Sequence, residues 1–291
     1  MGVEVLASTT AQVGELTVRR ALPRRAHRTV GAWCFADHMG PTAVTEEHGV
    51  DIGPHPHIGL QTVTWLVAGE ILHRDSLGSE QLIRPGQLNL MTAGHGIAHA
   101  EEATGRYRGD LHGIQLWVAQ PDATRDAASA FEHHAELPKV ELANGAATVL
   151  VGSLGDTTSP ARRDTEHMGA ELDLGGGPTA LPVEPGHEHA LIVLAGEITI
   201  DGANVAPGQL AYLAPGPDEI GLAAAGPARV MLLGGVPFDA QVFMWWNFVA
   251  RTSAEADAAY RSWEAHDDRF GPVASSLPRI AAPRPRWVPA P

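Results

Sequence analysis

Cysteine is nearly absent. A single residue, Cys34, excludes an intramolecular disulfide, and its neighbours Trp33 and Phe35 indicate a thiol on a buried strand in a reducing compartment. Basic residues are also few: 20 Lys and Arg stand against 34 Asp and Glu, a formal charge of -14. That field repels phosphate backbones and anionic headgroups, so direct binding to nucleic acid or a membrane surface is disfavoured. No apolar run reaches membrane-spanning length, and Met1-Gly2-Val3-Glu4 does not lead into a basic segment followed by an apolar one. A cytoplasmic location is therefore expected. The chain also has no G-x-S-x-G elbow, no phosphate-binding P-loop and no C-x-x-C pair, which excludes the commonest serine-hydrolase, nucleotide and thiol-redox chemistries.

Glycine and proline, in contrast, are plentiful, 32 and 22 of 291 residues, and call for many turns and short strands rather than a helical bundle. The length suits one large barrel or two ordinary domains. Self-comparison favours two. Leu66-Val67-Ala68-Gly69-Glu70-Ile71 recurs as Val193-Leu194-Ala195-Gly196-Glu197-Ile198, and Pro85-Gly86-Gln87-Leu88 recurs as Pro207-Gly208-Gln209-Leu210, in the same order but more closely spaced. We expect an N-terminal domain over 1–130 and a C-terminal domain over 138–291. The polar, alanine-rich segment 122–136 reads as the linker between them, with room for a short helix.

Runs such as Gln61-Thr62-Val63-Thr64-Trp65-Leu66-Val67 are rich in β-branched residues and end at glycine, as strands do. Asp201-Gly202, between Ile198-Thr199-Ile200 and Ala203-Asn204-Val205, is the signature of a tight hairpin. Near the end, Thr252 and Glu255 have capping-box spacing, and Ala256, Ala259, Tyr260 and Trp263 follow at helical intervals. They predict one amphipathic helix ending before Gly271, docked on a sheet by its aromatic face. A proline-rich tail from Ser275 should run extended along the surface or be partly disordered.

Of the 15 histidines, those at His55-Pro56-His57 carry the strongest signal. In a strand both imidazoles point to one face, with Pro56 stiffening the backbone between them. The same parity would carry Gly59 and Gln61 onto that face. His99-Ala100-Glu101 repeats the spacing. On neighbouring strands these residues could surround one dication with three nitrogens and one oxygen, a shell suited to first-row metals that leaves open positions in an octahedral ion. The net charge of such a site, +1, would attract an enolate or phenolate. His73 could be a further ligand, a hairpin cap or a hydrogen-bonding neighbour of the ligands, and is left outside the set. His95 lies between glycines, as a loop histidine would. His187-Glu188-His189 echoes the first motif, but Ala214-Pro215-Gly216-Pro217-Asp218-Glu219 brings no later histidine, so no metal is expected in the second domain. His133-His134 reads as solvated linker, and Asp37-His38 as a structural hydrogen bond.

The stretch from His55-Pro56-His57-Ile58-Gly59-Leu60-Gln61-Thr62-Val63-Thr64 to Thr92-Ala93-Gly94-His95-Gly96-Ile97-Ala98-His99-Ala100-Glu101 resembles the signature of the pirin family, two-domain members of the cupin superfamily. Arg28-Thr29-Val30-Gly31, Asp37-His38, Gln115-Leu116-Trp117, Met244-Trp245-Trp246-Asn247-Phe248-Val249 and Arg269-Phe270-Gly271 extend the likeness along nearly the whole chain. His95 stands where an arginine is common and Met39 where phenylalanine is usual, differences that bear on substrate preference. The resemblance implies an all-β bicupin, two jelly-roll barrels in tandem, with the metal in the first and a degenerate second. It places the family's ligands on His55, His57, His99 and Glu101, with Fe(II) as the expected ion and Mn, Ni, Co, Cu or Zn as alternatives.

Two functions follow. One is a dioxygenase of the quercetin 2,3-dioxygenase type, acting on a flavonol-like phenolic anion and dioxygen, with Glu101 or a metal-bound hydroxide as proton acceptor and Gln61 and His95 lining the substrate. The other is a metal- or redox-dependent regulator that binds a protein partner without turnover, either a transcriptional co-regulator or a modulator of a metabolic enzyme.

Overall fold

The glycine-bounded runs become short antiparallel strands in the computed structural model, which describes residues 2–45 and 49–287. They assemble into two successive units, each a seven-stranded sheet facing a four-stranded one. The larger sheet of the first unit runs, edge to edge, Ala130–His134, Leu88–Thr92, Leu60–Ala68, Gly109–Ala119, Trp33–Val44, Leu16–Leu22 and Thr9–Val13; its smaller sheet is Ile52–His57, Ile97–Glu102, Ile71–Asp75 and Glu80–Ile83. The second unit repeats the plan. Its larger sheet centres on Gln209–Leu213, Glu188–Ala195, Ala228–Gly235 and His167–Leu174, the first two containing or abutting the sequence repeats. The expected Asp201-Gly202 hairpin joins Ile198–Ile200 to Ala203–Val205, both turn residues at positive φ (47° and 77°).

The strand pairing departs from the expected division in two places. The presumed linker contains a strand, Ala130–His134, paired with Leu88–Thr92 at the edge of the first unit, and Phe131 within it stacks on His73 at 4.4 Å. Conversely Glu4–Ala7, at the start of the chain, pairs with Gln209–Leu213 at the matching edge of the second unit. In each unit a strand from outside the core repeat thus satisfies the otherwise open edge of the sheet. His133 is accordingly no solvated linker residue: its Nδ1 lies 2.7 Å from Asn89 Oδ1.

Alternation along the large sheets sends one set of side chains inward and the other toward the neighbouring unit. The outward sets meet in one core that joins Trp33, Trp65, Ile114 and Leu116 to Ile192, Leu194, Met231 and Leu233. Trp33 is fully buried there, its indole N–H donating to the carbonyls of Met168 (2.9 Å) and Gly234 (3.2 Å). The backbones approach so closely that a Cβ on Gly31 would sit 2.7 Å from Gly235 Cα.

The helix is Ser253–Ala265, where the capping pattern predicts it: Thr252 Oγ1 accepts from Glu255 N, while Glu255 instead reaches Arg251 N. Ala256, Ala259 and Trp263 bury against Ile58, Ala98, Phe248 and Phe270. It is too short and polar to span a bilayer, and among the described residues no helix is long and apolar enough to cross a membrane.

At the same inter-unit face His38 Nε2 lies 2.9 Å from His112 Nε2, Arg19 flanks His38, and His112 also bonds the backbone of Leu194, with Asp110 and Arg229 nearby. Burial, reinforced by His112 and Arg19, pushes the His38 imidazole down to about 3. An unfolded histidine titrates near 6.5, so below that pH the unfolded chain binds a proton that the folded chain refuses. The resulting stability is complete above pH ~6.5 and lost as the pH falls toward 3. Denaturant titrations at pH 7.5 and 5 should show the wild type weakening on acidification, and His38→Gln showing a smaller difference between the two pH values.

Candidate metal centre

His55 and His57 lie on Ile52–His57, and His99 on the adjacent Ile97–Glu102, with His99 directly opposite His55. This register brings one donor nitrogen from each of the three rings within 4.8 Å of the others. The remaining nitrogens are held from behind. His55 Nδ1 donates to Gly53 O at 2.9 Å and His57 Nδ1 to Asn247 O at 3.0 Å. His99 Nδ1 is 3.4 Å from His73 Nδ1, and His73 Nε2 is 3.1 Å from Asp75 Oδ2.

These partners determine the tautomers. A carbonyl only accepts, so the proton of His55 and of His57 sits on Nδ1; a His73 that donates to Asp75 leaves its own Nδ1 to accept from His99. The Nε2 atoms of His55, His57 and His99 then each present a bare lone pair, and those of His57 and His99 are 3.0 Å apart. Two lone pairs at that distance repel in the absence of a cation, and fit one well. The rings are also neutral: burial pushes His55 down to about 4 and holds His57 and His99 well below their ordinary range. Three neutral, pre-oriented imidazoles suit a first-row dication. Burial opposes ionisation of Asp75, but hydrogen bonds from His73 and Ser79 outweigh it and keep the carboxyl below its usual range, an anion at the end of the Asp75, His73, His99 chain.

Replacing His73 with phenylalanine would keep a ring against Phe131 while cutting that chain. The expected result is a loss of about 10–100-fold in metal affinity, measured by competition with a chromophoric chelator.

Glu101 borders the same cavity but lies outside the set of donors within 4.8 Å. An irregularity in the pairing explains the offset: His99 faces His55, yet Glu101 faces Ile52, so one strand carries an extra residue between the two positions. Burial raises the Glu101 carboxyl above its usual range, with His73 and the Thr64 hydroxyl, 3.4 Å from Oε1, acting in the opposite direction.

The cavity measures about 540 Å³. Phe35 and Trp117 form one wall, stacked at 4.0 Å with 15° between planes, and Trp117 meets His57 edge-on at 5.2 Å. Met244, Trp246 and Asn247, from the segment after the second unit, and Ile280, from the proline-rich tail, also line it. The tail is pinned at Ile280, whose N donates to Pro54 O and whose carbonyl accepts from Trp263 Nε1 at 2.9 Å.

The two residues expected to line the substrate do not border this cavity. Gln61 is fully buried, its amide donating to Thr92 Oγ1 at 2.9 Å. Counting by twos from His57 fails because Gly59, at φ 64°, turns the chain out of the four-stranded sheet and into the seven-stranded one. His95 is exposed in the loop after Leu88–Thr92, its backbone bonded to Ala127 O and Arg269 Nε. In the second unit, the rings of His187 and His189 stand 6.0 Å apart, centre to centre, beside a cavity of about 60 Å³.

Comparison with known proteins agrees with this picture. Residues 15–118 match the Pirin family, and residues 171–271 match the Pirin C-terminal cupin domain. A Pseudomonas aeruginosa protein with the provisional name quercetin 2,3-dioxygenase is 47% identical over 276 residues, covering 94% of this chain and 87% of its own. A pirin-like protein of Caulobacter vibrioides is 39% identical, over 87% of this chain and 90% of that one. The crystal structure of a quercetin 2,3-dioxygenase from Acinetobacter baumannii superposes with a TM-score of 0.94 at 41% identity, covering 99% of this chain and 97% of the other. Both barrels are thus cupin domains.

Proposed function

The chain belongs to the pirin family, and from that premise we propose that it is a metal-dependent dioxygenase of the quercetin 2,3-dioxygenase type, using Fe(II) or a similar first-row dication held by His55, His57 and His99, with Glu101 beside them. The observation that carries this reading is the trio of buried imidazoles whose Nε2 lone pairs converge while each Nδ1 is tied back. The names of the 47% and 41% identical relatives support the substrate class.

When bound, the ion would supply a Lewis acid for the substrate oxygen and a place for dioxygen to react. The chain does the rest. Phe35 and Trp117 offer a flat aromatic wall to a planar ring system. Glu101, buried on the border of the same cavity, is the acceptor we assign for the proton of the flavonol hydroxyl, to be taken at a carboxylate oxygen. Met244, Trp246 and Ile280 screen the site from bulk water.

The test is oxygen consumption and carbon monoxide release on adding quercetin to protein reconstituted in turn with Fe(II), Mn, Ni and Co. Uptake with at least one metal, and none after chelation, is expected. No uptake with any of them would overturn the enzymatic reading in favour of a binding protein.

A further inference from the structure

A row of polar side chains crosses the floor of the first barrel. Following the pairing from strand to strand, Arg20 lies opposite Asp37, Asp37 opposite Gln115, Gln115 opposite Thr64, Thr64 opposite Asn89, and Asn89 opposite His133. Six adjacent strands thus carry a polar residue at one level. Around the end of the row that borders the cavity, positions two residues away on the same face are apolar: Val18 beside Arg20, Phe35 and Met39 beside Asp37, Trp117 beside Gln115.

The second barrel supplies an internal control. The repeats align Thr64 with Leu191 and Asn89 with Ala211. The row through those two residues reads Val149, Ala170, Leu232, Leu191, Ala211 and Val5. It is aliphatic throughout. The same fold in the same chain therefore closes this level with hydrocarbon, and the polar row of the first barrel is not a requirement of the architecture. Placing an ion pair there also carries a desolvation cost that aliphatic packing would avoid.

One half of the row, Arg20, Asp37 and Gln115, faces the cavity. Arg20 Nε and Nη2 donate to the two oxygens of Asp37 at 2.8 and 2.7 Å, with the guanidinium 4.6 Å above the Phe35 ring. Thr64 Oγ1 donates to Gln115 Oε1 at 3.0 Å, which directs the Gln115 amide nitrogen elsewhere, and that nitrogen has no protein partner among the described residues. Arg20, Asp37 and Gln115 all border the cavity that holds the three histidines and Glu101. From Thr64, beside Glu101, to Arg20 is three strand spacings, about 14 Å, enough for a flat molecule of two or three rings.

Building on the dioxygenase reading, we propose that Arg20, Asp37 and Gln115 form a specificity strip that recognises a second oxygen substituent on a planar aromatic substrate, remote from the oxygens facing the metal site. Gln115 donates a hydrogen bond to that substituent, and Asp37, fixed by Arg20, accepts one through a remaining lone pair. The preferred substrates are polyhydroxylated rather than bearing the metal-facing oxygens alone.

The test is anaerobic titration of the metal-loaded protein, followed by quenching of its tryptophan fluorescence, with quercetin and with 3-hydroxyflavone, which lacks the outer hydroxyls. The wild type should bind quercetin more tightly by about 10-fold or more, the loss expected when a group hydrogen-bonded to a charge goes unmet. Gln115→Leu and the double variant Arg20→Val/Asp37→Ala, the latter installing the residue pair that the second barrel uses at this level, should each bring the ratio toward one. Thermal melts verify that both fold. Equal affinities in the wild type, no binding of either flavonol, or an undiminished preference in both folded variants would overturn the proposal. Binding selectivity without oxygen uptake would defeat the enzymatic reading and leave the strip standing; turnover without selectivity would do the reverse.

Discussion

Replacing His99 with alanine is expected to abolish oxygen uptake and to weaken metal binding by well over the ~100-fold expected for loss of a supporting hydrogen bond. His99 contributes one of the three nitrogens clustered among the described residues and receives the Asp75 and His73 chain, so its removal deletes a candidate ligand and strands the groups that orient it. Glu101→Gln should separate the two roles at this centre. The amide preserves shape and the contact with Thr64 but cannot take a proton, so the variant should retain metal while turnover falls by about 10²–10⁴-fold. Metal content by elemental analysis and oxygen uptake, measured on the same preparations, distinguish the two substitutions. Loss of metal in Glu101→Gln would instead make the carboxylate an essential ligand.

The largest effect on stability should come from Trp33→Ala. Trp33 is fully buried between the barrels and bonds two carbonyls of the second unit, Met168 O and Gly234 O. Truncation leaves a cavity and two unmet acceptors, at a cost of about 3–5 kcal/mol, a large part of what holds a typical domain folded. Chemical denaturation should show that loss. Trp33→Phe, which fills most of the volume but cannot donate, should fall between wild type and alanine. If Trp33→Ala unfolds like the wild type, the two sheets do not depend on this side chain for their contact.

Local pattern made much of this architecture readable in advance. The i, i+2 spacing of His55 and His57 placed both rings together, the Asp201-Gly202 hairpin and the Thr252 cap lie where short-range rules put them, and the repeated glycine and proline motifs mark equivalent strands. What was not readable depended on pairing between distant segments. Parity counting from His57 reached Gln61 only by assuming an unbroken strand, and the positive φ of Gly59 breaks it. Segment 122–136 has no large apolar residue other than Phe131, so its edge strand forms because Leu88–Thr92 offers an open partner. The polar row depends on five strand registers at once, and its members lie 17 or more residues apart along the chain.

The central claim is that one metal ion per chain is held by the imidazoles of the first barrel. Elemental analysis after anaerobic reconstitution with Fe(II) and desalting tests it most directly, comparing the wild type with the folded variant His55→Ala/His57→Ala/His99→Ala. The account predicts close to one iron per wild-type chain and almost none in the variant; stoichiometric iron in the variant would contradict it.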